Sequence, residues 1–296
     1  MNTQQKFVKY LAVTLAVLLI TALIGGIVAG VLFLTGVYSP GSQNTKPSPN
    51  NTLISSFDQG NKNKNNYTAE DFSDRKFSFS EIENIELDSS IYTISFKKGD
   101  VDQIQIALRN VYTGYIVKQN GNTLILEEPD SFRNFSLNNL FDLLDNTDRQ
   151  LEASICITVP QDFTAKKIEL DGGVGNIDLE NLAAEHLDID AGVGDIKGFQ
   201  VKASSVDIDG GVGNINFTDS SFDKATIDSG VGNTKLSLSA PMDSYRLSLE
   251  KGLGTIKLNG NILKFDDTYN ENPKAPYSLE INGGVGNITI NFADSF

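Results

Sequence analysis

The sequence holds one cysteine, one histidine and no tryptophan in 296 residues. A single cysteine, Cys156, excludes an intramolecular disulfide and a cysteine-rich zinc site. A single histidine, His186, excludes multi-histidine metal centres and leaves one candidate for a Ser-His-Asp triad. It lies in Ala184-Glu185-His186-Leu187, which reads as a solvated loop between two strands. Without tryptophan the best ring for stacking on sugars is missing, and the nine tyrosines are the remaining platforms. Basic residues are also scarce, with 24 Lys and Arg against 38 Asp and Glu, a net charge of −14. That balance argues against a nucleic-acid partner, because a phosphate backbone demands clustered cations.

Charge is missing altogether from Leu11 to Val37. This apolar run exceeds the roughly 20 residues that cross a ~30 Å hydrocarbon core. It is too long for the core of a cleaved signal peptide, so a retained signal-anchor is expected. No cysteine follows closely, which excludes a lipoprotein anchor. Lys6 and Lys9 precede the run and the next cation is Lys46, which predicts a cytoplasmic N-terminus and an extracytoplasmic remainder. Gly26 and Gly30 are spaced as in a small-xxx-small packing motif. The reading is a tail over 1–9, one transmembrane helix over 10–37, a flexible linker over 38–70 and an extracytoplasmic domain over 71–296. The linker is rich in Pro, Ser, Asn, Gln and Lys and cannot bury a core. The first 70 residues hold five Lys against Asp58 and Glu70, so the remainder carries 19 basic and 36 acidic residues, net −17. Such a domain is repelled by anionic lipids and wall polymers unless cations bridge them.

What the sequence does have is a repeat. Six copies of a phrase close to Gly-Gly-Val-Gly-Asn-Ile fill the C-terminal half. The second glycines are Gly173, Gly192, Gly211, Gly230, Gly252 and Gly284, spaced by 19, 19, 19, 22 and 32 residues. The third glycines are Gly175, Gly194, Gly213, Gly232, Gly254 and Gly286. Apolar residues alternate with period two around each phrase, which means strand. Ile168, Leu170 and Val174 share one parity, and Ile177 and Leu179 share the other. The parity change predicts a corner at Gly175-Asn176, with the valine on the inner side. The fold class expected is all-β: a β-solenoid of stacked ~19-residue coils, each of two or three short strands, preceded by the N-terminal transmembrane helix. The two corner glycines in each copy are expected to meet crowding or positive φ. Stacking would place Asn176, Asn214, Asn233 and Asn287 in an amide ladder. It would also stack Asp171, Asp190, Asp209 and Asp228, whose expected use is corner capping. A calcium nonapeptide would carry Asp where this chain has Ile177, Ile196 and Ile215, so that match is superficial. No metal or cofactor is expected.

The middle of the chain reads as a worn version of the same design. Ile85, Leu87, Ile91, Ile94 and Phe96 keep the spacing, with Asp88-Ser89-Ser90 in place of Asp-Gly-Gly. Ile104–Leu108, Leu124–Leu126 and Ile155–Val159 read as strands, and Asn120-Gly121 as a hairpin turn. Cys156 alternates with Ile155 and Ile157 and so faces away from the core. Leu137, Leu140, Phe141 and Leu144 predict a short amphipathic helix over 136–145.

The order of these segments resembles a family of bacterial extracytoplasmic β-solenoid proteins named "putative adhesins". The strand pair Ile85–Phe96, the segment Asp102–Leu108, the strand Thr123–Leu126, the Val159-Pro160 ending and coils such as Gly175-Asn176-Ile177 carry the likeness, over roughly 77–296. The resemblance implies a surface or envelope domain on one membrane helix, with no established catalytic residues. The layout is also similar to membrane-anchored accessory proteins of cell-envelope stress systems in Gram-positive bacteria. The function expected is non-enzymatic: surface display, adhesion or interaction with an envelope protein or wall polymer. Two alternatives are an accessory regulator of an envelope stress sensor and a glycan-active enzyme on a β-helix scaffold. A non-repeating pair of carboxylates in a groove would favour the enzyme.

Overall fold

The computed structural model describes residues 72–129 and 153–293. The expected transmembrane helix over 10–37 and short helix over 136–145 both lie outside the described residues. Among the described residues no helix is long and apolar enough to cross a membrane. The described chain is mostly strand, with a single 3₁₀ turn at Met242–Ser244.

Strands are numbered β1 to β20 along the chain. They build eight stacked layers, each with one strand in each of two facing sheets, one long and one short in the regular coils. From one end the layers are β6 (Thr123–Glu127) with β7 (Ser154–Pro160), then β2 (Asn84–Ser89) with β3 (Thr93–Gly99). Next come β8 (Ala165–Val174) with β9 (Ile177–Glu180), and β10 (Ala183–Val193) with β11 (Ile196–Phe199). Then β12 (Lys202–Val212) pairs off with the start of β13 (Ile215–Val231), and the rest of β13 with β14 (Thr234–Pro241). The last two layers are β19 (Tyr277–Asn282) with β20 (Ile288–Ala293), and β15 (Tyr245–Glu250) with β16 (Ile256–Leu258). All pairings between layers are parallel, with register shifts only between Phe217 and Ser220 and between Leu238 and Pro241.

Chain order and stacking order differ at one end. The sixth glycine phrase, not the fifth, follows the fourth. β19 and β20 return to lie between the β13–β14 layer and the β15–β16 layer. The spacings of 22 and 32 are thereby explained: one coil runs ahead to form the end, and the next slips in beneath it. The opposite end is built alike. β2 and β3 sit one layer in, covered by β6 and β7, which come later in the chain.

Both ends are closed by antiparallel strands, which hides the open hydrogen-bonding edges. β5 (Ile116–Asn120) covers β6, β4 (Ile104–Tyr112) covers β7, and β1 (Phe72–Phe79) covers β4. β18 (Thr268–Glu271) covers β15 and the two-residue β17 (Asn261–Ile262) covers β16. The β5–β6 turn is Gly121-Asn122, with Gly121 at φ +60°, one residue beyond the expected Asn120-Gly121.

The core consists of columns. One runs through Leu126, Leu87, Leu170, Ile189, Ile208, Ile227, Ile281 and Leu249, each at most 3 % exposed. Another runs through Ile155, Ile94, Ile177, Ile196 and Ile215, then Thr234, Ile288 and Ile256. Thr234 is a polar intruder with a matched partner: its hydroxyl meets the Ser229 hydroxyl at 2.8 Å, both buried. Ser229 stands where the neighbouring coil has Gly210. There an added Cβ would lie 2.6 Å from the Ile215 side chain, so serine fits only opposite the smaller threonine.

Two expectations are corrected. Parity puts Val174 and Val212 inside, yet they are 44 % and 47 % exposed, and Val285 is only half-buried. The reason is that the chain turns before the valine: Gly172 is the last position facing the core, and the corner glycines rotate Val174 outward. His186 is not in a loop; it lies in β10, exposed, in register with Lys167 and Ser205.

Candidate interaction surface

The corner is built from backbone packed on backbone. A Cβ added at Gly211 would fall under 3.0 Å from the carbonyl oxygens of Ala191 and Gly192 in the layer below. Gly213 has φ +156° and the same crowding against Gly194. With no side chains in the way, the next residue can hold the layers together. Asn176 Oδ1 accepts the Asp195 N–H at 2.9 Å, Asp195 Oδ1 accepts the Asn214 N–H at 2.9 Å, and Asn214 Oδ1 accepts the Asn233 N–H at 3.1 Å. Asn233 Oδ1 then accepts the Asn287 N–H at 3.0 Å, and Asn287 Oδ1 accepts the Thr255 N–H at 3.0 Å. The ladder follows stacking order, not chain order. Its one carboxylate, Asp195, is held below the usual aspartate range chiefly by the Asn214 backbone N–H, with help from the Asn214 amide and Lys197. This column therefore caps the corner N–H groups from layer to layer.

At one end the ladder of glycine corners stops, and Glu128 finishes it. This side chain is 3 % exposed. Its Oε1 accepts the Ser90 N–H at 3.1 Å and its Oε2 accepts the Ser90 hydroxyl. Ser90 replaces a glycine here because no further backbone corner presses on it. Tyr115 lies close by, its hydroxyl donating to the Asp88 carbonyl at 2.8 Å, and burial holds its pKa well above the usual value.

The outer face of the sheet containing β8, β10 and β12 carries two adjacent columns of acids. One is Asp88, Asp171, Asp190, Asp209, Asp228, Asn282 and Glu250. The other is Glu86, Glu169, Asp188, Asp207, Thr226, Glu280 and Ser248. Successive members stand about 4.8 Å apart. Partial burial, then the neighbouring carboxylates, pushes the Asp188 and Asp209 carboxyls above the usual range. Lys167 meets Glu169 at 2.5 Å, a partial compensation. Among the described residues no group of three or more His, Cys, Asp or Glu is placed to hold a metal ion.

The opposite sheet has a different surface. Outward positions there include Lys97, Lys197, Lys235 and Lys257 against Asp178 and Glu180. A shallow groove of about 370 Å³ is lined by Lys97, Asp178, Glu180, Lys197 and the exposed Phe199. Asp178 and Glu180 do not repeat in other layers, but they stand side by side on β9. Cys156 is on this face, in register with Ser95 and Ala107. Sequence reasoning missed the groove, because its residues come from coils whose outward positions have diverged.

A family model described as Toastrack DUF4097 matches residues 82–293. No curated protein matches the chain. The chain is similar to a solved "putative adhesin" of Bacteroides fragilis, at 17 % identity over 74 % of this chain and 96 % of that one, with a TM-score of 0.43. It is similar to a "putative cell adhesion protein" of Clostridium sporogenes, at 16 % identity over 75 % and 100 %, TM-score 0.39. A "putative adhesin" of Parabacteroides distasonis is similar at 12 % identity over 75 % and 97 %, TM-score 0.26.

Proposed function

The chain belongs to the Toastrack DUF4097 family, and from that footing we propose that it is a non-enzymatic surface-interaction domain. Residues 10–37 hold it in the cell membrane, residues 38–70 space it from the bilayer, and the stacked domain is displayed outside. One observation carries the reading: the paired acidic columns of Asp190, Asp209 and their neighbours, which face away from the core and recur in most layers. A rigid face on which acids outnumber the neighbouring Lys167, Lys224 and Arg246 suits a cationic envelope protein, and reaches an anionic wall polymer only through bridging cations. The non-enzymatic part rests on the groove. Glycoside hydrolysis needs two carboxylates on either side of the scissile bond, and Asp178 and Glu180 stand on one strand facing the same way.

The test uses the full chain with a C-terminal tag, crosslinked in intact cells. The wild type is compared with the combined variant Asp188→Asn, Asp190→Asn, Asp209→Asn. External protease should remove the tag, and the wild type should capture an envelope component that the variant loses, with capture weakening as salt rises. Equal capture by both chains would remove the acidic face from the reading. A protected tag would reverse the topology.

A further inference from the structure

One column of the repeat has no task in the monomer. Val174, Val193, Val212 and Leu253 are 44, 50, 47 and 55 % exposed, even though each packs on its neighbours in the stack. Val231 and Val285 join them, half-buried, to give an unbroken stripe of six layers, about 24 Å long at ~4.8 Å per layer. Glycines precede and follow each of the six, so no other side chain shields the stripe's flanks within the phrase. An exposed apolar strip of this extent is of the kind that marks an interaction site.

Mere inheritance from an ancestral repeat does not account for it. Outward columns without a common task have diverged. One reads Asn84, Lys167, His186, Ser205, Lys224, Ser278 and Arg246, and another Ser95, Asp178, Lys197, Asn216, Lys235, Thr289 and Lys257. The valine column has stayed apolar through all six layers.

The pitch selects the occupant. An extended peptide lying along the stripe would present same-face side chains about 6.6 Å apart, and a helix one turn every 5.4 Å. Neither keeps step with ~4.8 Å layers over the full length. A second copy of this chain does, layer for layer. The flanking columns then select the orientation. On one side of the stripe run the acids Asp171, Asp190, Asp209 and Asp228, and on the other the amide ladder of Asn176, Asn214, Asn233 and Asn287. With the two solenoid axes antiparallel, acids oppose acids. With a twofold axis along the solenoid, each copy's acids oppose the partner's amides, whose N–H₂ groups are donors.

We propose that the chain forms a twofold dimer with parallel solenoid axes, the valine stripes packed against each other. This goes beyond the acidic-face reading and does not depend on it. The stripe is narrow beside the ~800 Å² per partner of a standard interface, so the dimer is concentration-dependent. Asp195 is the one carboxylate in the ladder and faces the partner's acids in this arrangement, so Asp195→Asn tightens the dimer.

The test uses the full chain with Cys156→Ser, to remove the native thiol, and single cysteines on the stripe. Val174→Cys and Val212→Cys should each give a disulfide-linked homodimer on mild oxidation, because a parallel twofold brings each layer to its own copy. An antiparallel dimer would leave two Val174→Cys sites about 24 Å apart and crosslink Val174→Cys to Leu253→Cys instead, which overturns the proposal. Absence of any crosslink from either single variant also overturns it. Val212→Lys should lower association at least tenfold while leaving the circular dichroism spectrum and melting temperature unchanged. Unchanged association in Val212→Lys refutes the stripe as the contact.

Discussion

Truncation after Pro276 removes β19 and β20, and the stacking order makes its effect large. If these strands were the physical end, the solenoid would lose one layer and keep the rest. Among the described residues they are instead the only parallel partners that tie β15 and β16 to the stack. β15 and β16 would keep only the local antiparallel strands β18 and β17. The apolar side chains at stake in that outer coil are Tyr245, Leu247, Leu249, Ile256 and Leu258, all at most 5 % exposed. At about 1.5–3 kcal/mol each, their burial is worth about 8–15 kcal/mol. That equals the entire stability of an ordinary domain, about 5–15 kcal/mol. A four-residue and a two-residue strand cannot replace it. The coil 245–271 therefore unfolds with the truncation.

Trypsin reads the difference. Arg246, Lys251 and Lys257 lie in the outer coil. They should resist cleavage in the full chain and be cut rapidly in the truncated one, while Lys167, Lys202 and Lys224 stay resistant. The far-UV strand signal should fall by about the contribution of two coils, not one. Continued protection of Arg246 and Lys257 after truncation would refute the inserted position of the last coil. A milder form is Ile281→Ala, which sits between Ile227 and Leu249 and should cost about 2–5 kcal/mol in urea denaturation.

Gly211→Val should cost more than about 3 kcal/mol, because its side chain meets backbone oxygens that cannot retreat. Asn216→Ser should be near neutral by the same melt, since its buried Oδ1 has no hydrogen-bond partner to lose. Glu128→Ala should cost about 1–3 kcal/mol by leaving the Ser90 N–H uncapped, and Glu128→Gln, which keeps the acceptor, should cost less. Asp209→Asn should raise stability at pH 7 by about 0.2–1 kcal/mol, the scale for like charges placed opposite in a sheet. Its carboxyl is raised in the folded state, by burial first and then by Asp190 and Asp228. The wild type therefore loses stability as pH climbs from the ordinary aspartate value of about 3.9 through the raised one. The gain from asparagine should vanish below that window, and an equal gain at pH 3 would refute the repulsion. Asp195 has the opposite sign: its lowered pKa supports the fold above the ordinary value and that support is lost as pH falls through the folded one.

Much of the fold was legible because layers repeat. Period-two alternation marked Ile168, Leu170, Ile177 and Leu179 as inner positions, and all four are buried. The worn copy at Asp88-Ser89-Ser90 pairs in register with Asp171-Gly172 as its spacing implied. The valines misled because parity counts residues and ignores where the backbone turns. What gives away their position is the glycine on both sides. A core strand has little reason to surround one valine with residues that pack nothing, whereas a corner bearing backbone on backbone has every reason. The groove beside Phe199 left no trace at all, since its residues follow no period.

Stacking order looks beyond the reach of a period, yet its signal lay in the quality of the copies. The fifth phrase is the most altered: Glu250, Lys251, Leu253 and Thr255 replace the usual Asp, Gly, Val and Asn. The sixth returns to Gly283-Gly284-Val285-Gly286-Asn287. Each residue of a buried layer must fit a neighbour on both sides. Gly284 presses on Ser229 and Gly230, and Gly252 presses in turn on Gly283 and Gly284. Asn287 donates to Asn233 and accepts from Thr255, so its side-chain oxygen serves the layer beyond. Thr255, with nothing stacked beyond it, needs only the donor. A coil with one neighbour is free to drift where a coil with two is not. Degeneration of a repeat thus marks the physical end of the stack, and here it marks the fifth copy and not the last.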